Sequence, residues 1–83
     1  MRFLNHKDLK RNFGKENVSK FNDFSLVEIN EFVYAISRDV AKINLEDFNV
    51  RSMGLRVGMI IDGKLRLTEN GERFFKMRKI SFS

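Results

Sequence analysis

A single dipeptide, Asp62-Gly63, constrains the fold of this 83-residue chain more than any other feature of its sequence. An Asp-Gly pair suits the two positive φ angles of a two-residue hairpin turn. The pair separates two strand-like segments, Leu55–Ile61 and residues 64–68, and the second segment alternates basic residues with leucines. The chain is therefore predicted to contain an antiparallel β-hairpin with one apolar face and one basic face.

The two-residue turn also predicts the register of this hairpin. It pairs Ile60 with Leu65 and Gly58 with Leu67, which directs these side chains to the core, while Arg66 lies on the opposite face. A loop longer or shorter by one residue would shift this register.

Hydrophobic periodicity and capping residues predict the remaining elements. Asn30-Glu31 is a plausible second turn, Gly14 ends the first helix, and Ser37 and Thr68 are predicted helix caps. The predicted helices are His6–Phe13, 38–43 and 69–78, and the additional strands are Phe24–Ile29, Phe32–Ser37, 48–52 and 80–82. This order predicts an α+β fold, with an N-terminal, a short middle and a C-terminal helix on a small antiparallel or mixed sheet.

The length and the aromatic content indicate one small core. A chain of this size buries about 60–65% of its unfolded surface, so residues 1–83 are expected to form a single domain. Nine Phe and no Trp are typical of core filling rather than of a stacking surface. The predicted core aromatics are Phe13, Phe24, Phe32, Phe48 and Phe74.

Several classes of function are disfavoured by the residues present. The chain has no Cys for a disulfide or a thiolate metal site, and its one histidine, His6, lacks evident partners. The spacing from Gly58 to Lys64 resembles a phosphate-binding loop, but Leu65 stands where a magnesium-binding Ser or Thr is required. With no signal peptide or membrane span in view, we expect a soluble cytoplasmic protein that is not an enzyme and has no metal, cofactor, membrane partner or small-molecule substrate.

The net charge of +5 is distributed unevenly along the chain. Residues 1–20 contain six basic and two acidic residues, 21–50 contain two and six, and 51–83 contain eight and three. If the two ends meet in the fold, they form a positive surface that concentrates polyanions and releases counterions on binding. A solvated surface that keeps the domain soluble is the alternative explanation of the charge.

Four short segments carry a resemblance to a known module. They are Leu9-Lys10-Arg11-Asn12-Phe13-Gly14, Phe32-Val33-Tyr34-Ala35-Ile36-Ser37 with Asp39-Val40-Ala41-Lys42, Val50-Arg51-Ser52-Met53-Gly54-Leu55-Arg56-Val57-Gly58, and Gly63-Lys64-Leu65-Arg66-Leu67-Thr68. In this order they resemble the amino-terminal, pre-PUA domain of a conserved large-subunit ribosome biogenesis factor. They are also similar to the PUA-like carboxy-terminal domain of Sun-type RNA 5-methylcytosine methyltransferases. The resemblance implies a noncatalytic PUA-like module in ribosome biogenesis or RNA modification that contacts RNA or a protein of the same pathway.

Charge and resemblance together predict a small RNA-associated binding domain for rRNA or tRNA. Phosphate contacts supply affinity without reading the sequence. The predicted RNA-binding residues are Arg51, Arg56, Lys64, Arg66, Arg73, Lys76, Arg78 and Lys79. The alternative is a protein-interaction module of an RNA-processing complex, docking through an apolar patch or through Asp23, Glu28, Glu31, Asp39, Glu46 and Asp47. A noncatalytic fragment of a methylation enzyme supplied in trans is a third possibility.

Overall fold

The structure, a computed structural model, describes residues 1–42 and 49–82. In the described residues, five strands and five helices follow one another in an α+β arrangement, as the sequence predicts. The elements are β1 (Arg2–Phe3), α1 (His6–Phe13), α2 (Lys15–Val18), β2 (Phe24–Ile29), β3 (Phe32–Ser37), α3 (Arg38–Ala41), α4 (Val50–Met53), β4 (Leu55–Ile61), β5 (Lys64–Leu67) and α5 (Glu69–Met77).

The strands form one antiparallel sheet in the order β1-β2-β3-β4-β5, so each strand lies beside its neighbour in the chain. The predicted register of the last hairpin is confirmed, because Ile60 pairs with Leu65 and Gly58 with Leu67. Both central turn residues have positive φ, 53° at Asp62 and 76° at Gly63, as a two-residue hairpin turn of this kind requires. β5 is therefore an edge strand whose only described neighbour is β4.

One face of the sheet, called the helical face here, carries α1 and α5. Its core is aromatic: Phe13 and Phe75 are fully buried with ring centroids 4.8 Å apart, and Phe21 lies against both. Sheet residues complete the cluster from below, including Leu26, Val33, Ala35, Val57 and Leu65. Phe13 and Phe24 are thus core residues as predicted, whereas Phe74 is half-buried and Phe21 and Phe75 take the central positions.

The opposite face of the sheet has a smaller core. Val27, Tyr34 and Ile36 are buried there with Val50 of α4, and Ala41 of α3 packs against them. Phe32, a predicted core residue, is only half-buried on this face, and Phe48 lies outside the described residues. Tyr34 is buried on this face although its side chain carries a hydroxyl.

A β-bulge joins the sheet to α5. The β3–β4 register shifts between Val33 and Tyr34, which leaves Val57 as an extra residue in β4. The Val57 carbonyl accepts a hydrogen bond from the Thr68 amide at 2.9 Å, and a Cβ at position 71 would overlap that same carbonyl oxygen. Gly71, unfavourable in a helix on propensity alone, therefore allows α5 to approach the backbone of β4.

Two predicted strands are wrong in the described part of the chain. The segment 48–52 was expected to be extended, but Val50–Met53 forms α4, because Asn49 Oδ1 accepts from the Arg51 amide and the Gly54 amide returns to the Val50 carbonyl. Residues 80–82 form no strand. Instead, Lys79 takes a left-handed φ of 56° and the Ile80 amide donates to the Phe75 carbonyl, which closes α5 and buries Ile80.

The other differences are small. β1 was not predicted, and it pairs with β2 through only two residues. α5 ends at Met77 with Arg78 as its C-cap, one residue earlier than expected. α3 ends at Ala41, and residue 43, where the prediction placed its end, lies outside the described residues. Ser37 and Thr68 cap α3 and α5 as predicted.

Candidate nucleic-acid interface

The structure divides the eight predicted RNA-binding residues among different surfaces. Arg51 is exposed on α4, and Arg56 stacks its guanidinium 4.1 Å from the centre of the Phe32 ring on the opposite face. Lys64 and Arg66 lie on the edge strand β5. The remaining four belong to α5 and the turn that follows it: Arg73, Lys76, Arg78 and Lys79. The eight residues therefore do not form a single patch.

Ion pairing separates these basic residues into two groups. Arg73 donates to Glu69 at 2.8 Å, and Arg78 lies 3.7 Å from Asp23 with its guanidinium 3.9 Å from the centre of the Phe74 ring. By contrast, no carboxylate oxygen of residues 1–42 and 49–82 lies within the 4.0 Å ion-pair distance of the members of a second group. That group consists of Arg51, Arg56, Lys64, Arg66, Lys76 and Lys79.

Carboxylates of the acidic middle segment are largely engaged by nearby cations. Asp23 pairs with Arg78, while Glu28 lies 3.7 Å and Asp39 3.9 Å from their basic partners, Arg2 and Lys42. Glu31 occupies the β2–β3 turn, and Glu46 and Asp47 lie outside the described residues. In the described part of the chain, these groups are spread over several elements rather than gathered on one surface.

A cleft follows the free edge of β5. It consists of two cavities of about 400 and 300 Å³ that share Arg66 and Phe82 in their linings. The larger one continues along α5 to Lys76, and the smaller one continues along α1 to Arg11. Four cations thus line this surface, which we call the β5-edge cleft: Arg11, Lys64, Arg66 and Lys76. Among the described residues that line either cavity, Glu72 is the one with a carboxylate.

Buried polar contacts fix the wall that α1 provides. Asn12 is 6% exposed, and its Oδ1 accepts a hydrogen bond from the Leu65 amide of β5 at 3.1 Å. Its Nδ2 donates to the Asp8 carbonyl one turn earlier in α1 at 2.8 Å. Because Asn12 links the helix backbone to the strand edge, its neighbour Arg11 is held beside β5.

The segment after α5 provides the floor of the cleft. Phe82 lies edge-on to Phe13 with ring centroids 5.5 Å apart, yet 42% of the residue remains exposed. The backbone before it is tied to α2 and the turn after α2, because Asn17 Nδ2 donates to the Ser81 carbonyl and Lys20 Nζ to the Lys79 carbonyl. An aromatic ring with an accessible surface therefore lies between the basic walls.

Arg11 and Phe82 belong to the cleft, but the sequence did not single them out. Arg11 was correctly placed in the first helix, and only the contact between Asn12 and Leu65, 53 residues apart, brings it to β5. Phe82 was assigned to an edge strand, whereas the turn at Lys79 directs it back to Phe13. Arg11 has a carboxylate three residues earlier, Asp8, which binds Arg2 in the structure, so the local sequence carries no signal that favours Arg11.

In the described residues, no three His, Asp or Glu side chains come close enough together to hold a metal ion. No helix in the same residues is long and apolar enough to span a membrane. Comparison with protein families, curated proteins and solved structures finds no match to this chain. The PUA-like relationship stays a prediction.

Proposed function

We propose that this chain is a noncatalytic RNA-associated binding module, acting in the cytoplasm in ribosome biogenesis or RNA modification. It contacts the backbone of rRNA or tRNA through the β5-edge cleft. The observation that carries the proposal is that Arg11, Lys64, Arg66 and Lys76, from three separate elements, line two adjoining cavities that share Phe82, a residue 42% exposed.

The chemistry of the cleft fits a nucleic-acid strand. Phosphates are spaced along a strand and separated by bases, so a binding surface needs several cations together with an aromatic or apolar contact. Cations without carboxylate partners need break no ion pair before they bind phosphate. Counterions released from the nucleic acid then supply much of the binding free energy. Phe82 would stack on an unpaired base, which contributes about 1–3 kcal/mol.

Substituting the two basic residues of β5 tests this proposal. Both side chains are exposed and neither takes part in a described ion pair, so Lys64→Gln/Arg66→Gln should leave the fold unchanged. Fluorescence anisotropy with a labelled, structured RNA containing an unpaired loop should show binding weakened roughly 10- to 30-fold at low salt. The slope of log K against log salt should fall by about 1.4, since each single-strand phosphate contact contributes about 0.7.

A matched variant separates local contacts from overall charge. Lys42→Gln/Arg73→Gln also removes two positive charges, but at residues that already have carboxylate partners on α3 and α5. This control should bind RNA within about twofold of the unmodified protein. Equal weakening of RNA binding in both double variants would mean that net charge alone explains the loss. Unchanged RNA binding by the β5 variant would contradict the proposal.

One observation favours the alternative of a protein-interaction module. β5 is an edge strand, and its outward backbone groups at Leu67 have no described hydrogen-bond partner, so an extended peptide could add to the sheet. Capture of a protein partner that persists after nuclease treatment, together with no anisotropy change on adding RNA, would support this alternative over RNA binding.

A further inference from the structure

A second basic cleft lies on the other flank of α1. It has a volume of about 450 Å³ and is formed by α1, α2, the turn after α2 and the first residue of α3. Its described lining includes three cations, Lys10, Lys15 and Arg38, together with His6, and none of the described lining residues is a carboxylate. Its apolar lining comes from Leu9, Val18 and Phe21. Like the β5-edge cleft, it combines cations with an apolar surface.

A basic ridge on α1 connects the two clefts. Lys10 lines the second cleft, and its neighbour Arg11 lines the β5-edge cleft. Lys7 lies three residues before Lys10 and four before Arg11, so on the helix surface it is next to both. All three side chains are exposed, and none has a carboxylate oxygen within ion-pair distance in the described residues.

Like charges at these spacings destabilise an isolated helix. Asp8, the acidic residue of α1, offers no local compensation, because it binds Arg2 at 3.1 Å and accepts from the Asn5 amide at the start of the helix. The ridge is therefore a stretch of uncompensated positive charge, which a polyanion lying across α1 would neutralise.

We propose that the RNA strand, once in the β5-edge cleft, crosses α1 over Lys7, Lys10 and Arg11 and enters the second cleft. This inference depends on the proposed function and extends it, since it makes the binding site a continuous track for an unpaired strand. A rigid duplex does not fit two concave sites on either side of a projecting helix as well as a flexible single strand does. The occupant is therefore single-stranded RNA with its phosphates on the cations and its bases over the two apolar floors.

The experiment uses oligouridylates of two lengths, since a strand long enough to cross α1 should engage both clefts. We would measure affinity and salt dependence by anisotropy for strands of roughly 4 and roughly 12 nucleotides, within the range of known single-strand sites. The second-cleft variant is Lys10→Gln/Lys15→Gln, in which both residues are exposed and make no described side-chain hydrogen bond. Lys64→Gln/Arg66→Gln and the control Lys42→Gln/Arg73→Gln are measured in parallel.

The salt slope is the deciding quantity, because the number of binding registers on a longer strand changes affinity but not the slope. For the long strand, Lys10→Gln/Lys15→Gln should lower the slope by about 1.4, whereas for the short strand the slope should match that of the control. Lys64→Gln/Arg66→Gln should lower the slope for both lengths. On adding the long strand alone, the amides of Ser19 and Asn22 in the second cleft should shift in NMR spectra.

The outcomes distinguish the two proposals. If Lys10→Gln/Lys15→Gln binds the long strand like the control while the β5 variant is weakened, the track across α1 is overturned and the proposed function stands. If neither variant differs from the control, RNA binding through the β5-edge cleft is overturned as well. Tighter binding of an RNA duplex than of the long single strand would also overturn the track.

Discussion

Two hairpins of this protein have the same turn geometry but different surroundings. The β2–β3 turn uses Asn30 and Glu31 with φ of 50° and 72°, and the β4–β5 turn uses Asp62 and Gly63 with φ of 53° and 76°. The first hairpin is central, and Val27 and Val33, on opposite faces, are fully buried. The second forms the edge of the sheet, with Lys64 and Arg66 exposed.

The difference shows how a small domain can stabilise an edge strand and still leave its basic side chains exposed. The central hairpin is held by side-chain burial on both faces. The outer hairpin buries side chains on one face only, Val57 and Leu65 among them. Its backbone is held as well, by Asn12 at the Leu65 amide and by the Thr68 amide at the Val57 carbonyl. Because these contacts hold β5 from the helical face, its basic residues can stay exposed for binding.

Among the variants that test this difference between the hairpins, Gly71→Ala should change the free energy of unfolding most. In an exposed helix this change is stabilising by about 1 kcal/mol, but here the new Cβ would lie 2.7 Å from the Val57 carbonyl carbon and displace α5 from β4. We expect the free energy of unfolding to fall by about 3 kcal/mol in urea denaturation. Asn70→Ala on the exposed side of the same helix is the control and should change it by less than about 0.5 kcal/mol. A stabilised Gly71→Ala protein would show that α5 does not dock as described.

Asn12→Ala should have the next largest effect. It leaves the buried Leu65 amide without its acceptor, which costs about 1–3 kcal/mol. Hydrogen exchange should accelerate at Leu65 more than at Leu26 or Ala35 of the central hairpin, because the Leu65 amide is the one that donates to Asn12. Uniform acceleration across both hairpins would mean that Asn12 stabilises the whole domain rather than the β5 edge.

The parts of the fold that the sequence predicted are those encoded locally. The turn residues, the caps Ser37 and Thr68, and strand alternation gave correct positions for four strands and the register of the last hairpin. The prediction was wrong where packing between distant residues overrides local preference. At α4, Asn49 caps a short helix, and Val50 of that helix packs against Tyr34 and Ile36 of β3.

Only the locally encoded part of the candidate site, on β5, could be predicted from the sequence. Alternation in β5 placed Lys64 and Arg66 on an exposed face, and the structure agrees. The ring contact of Arg78 with Phe74 and the proximity of Arg11 to β5 depend on tertiary structure. Counting charges along the sequence therefore could not show that Arg78 packs on a ring or that Arg11 lines the cleft. Whether a basic residue is available to a ligand is set by its three-dimensional neighbours.

Substitutions at the two turns should change the free energy of unfolding by a smaller amount, and in opposite directions in the two hairpins. Glu31 occupies a left-handed position that favours glycine, so Glu31→Gly should raise the free energy of unfolding by about 1 kcal/mol. Gly63→Glu should lower it by a similar amount, since nothing lies within 4 Å of a Cβ there and only the backbone conformation is affected. Thermal denaturation of Glu31→Gly and Gly63→Glu measures both changes in stability. A gain at position 31 without a matching loss at 63 would show that the two turns are not equivalent.

Removing a paired cation should have the smallest effect. Arg73 and Glu69 are 70% and 80% exposed, so Arg73→Gln should lower the free energy of unfolding by only about 0.3–0.5 kcal/mol at low salt and by less at high salt. It should leave RNA affinity unchanged, whereas Arg66→Gln should leave stability unchanged and weaken binding. Urea denaturation and anisotropy on the two single variants test this crossed pattern. If Arg73→Gln also weakened RNA binding, the distinction between paired and unpaired cations would fail, and the interface would have to extend along the exposed side of α5.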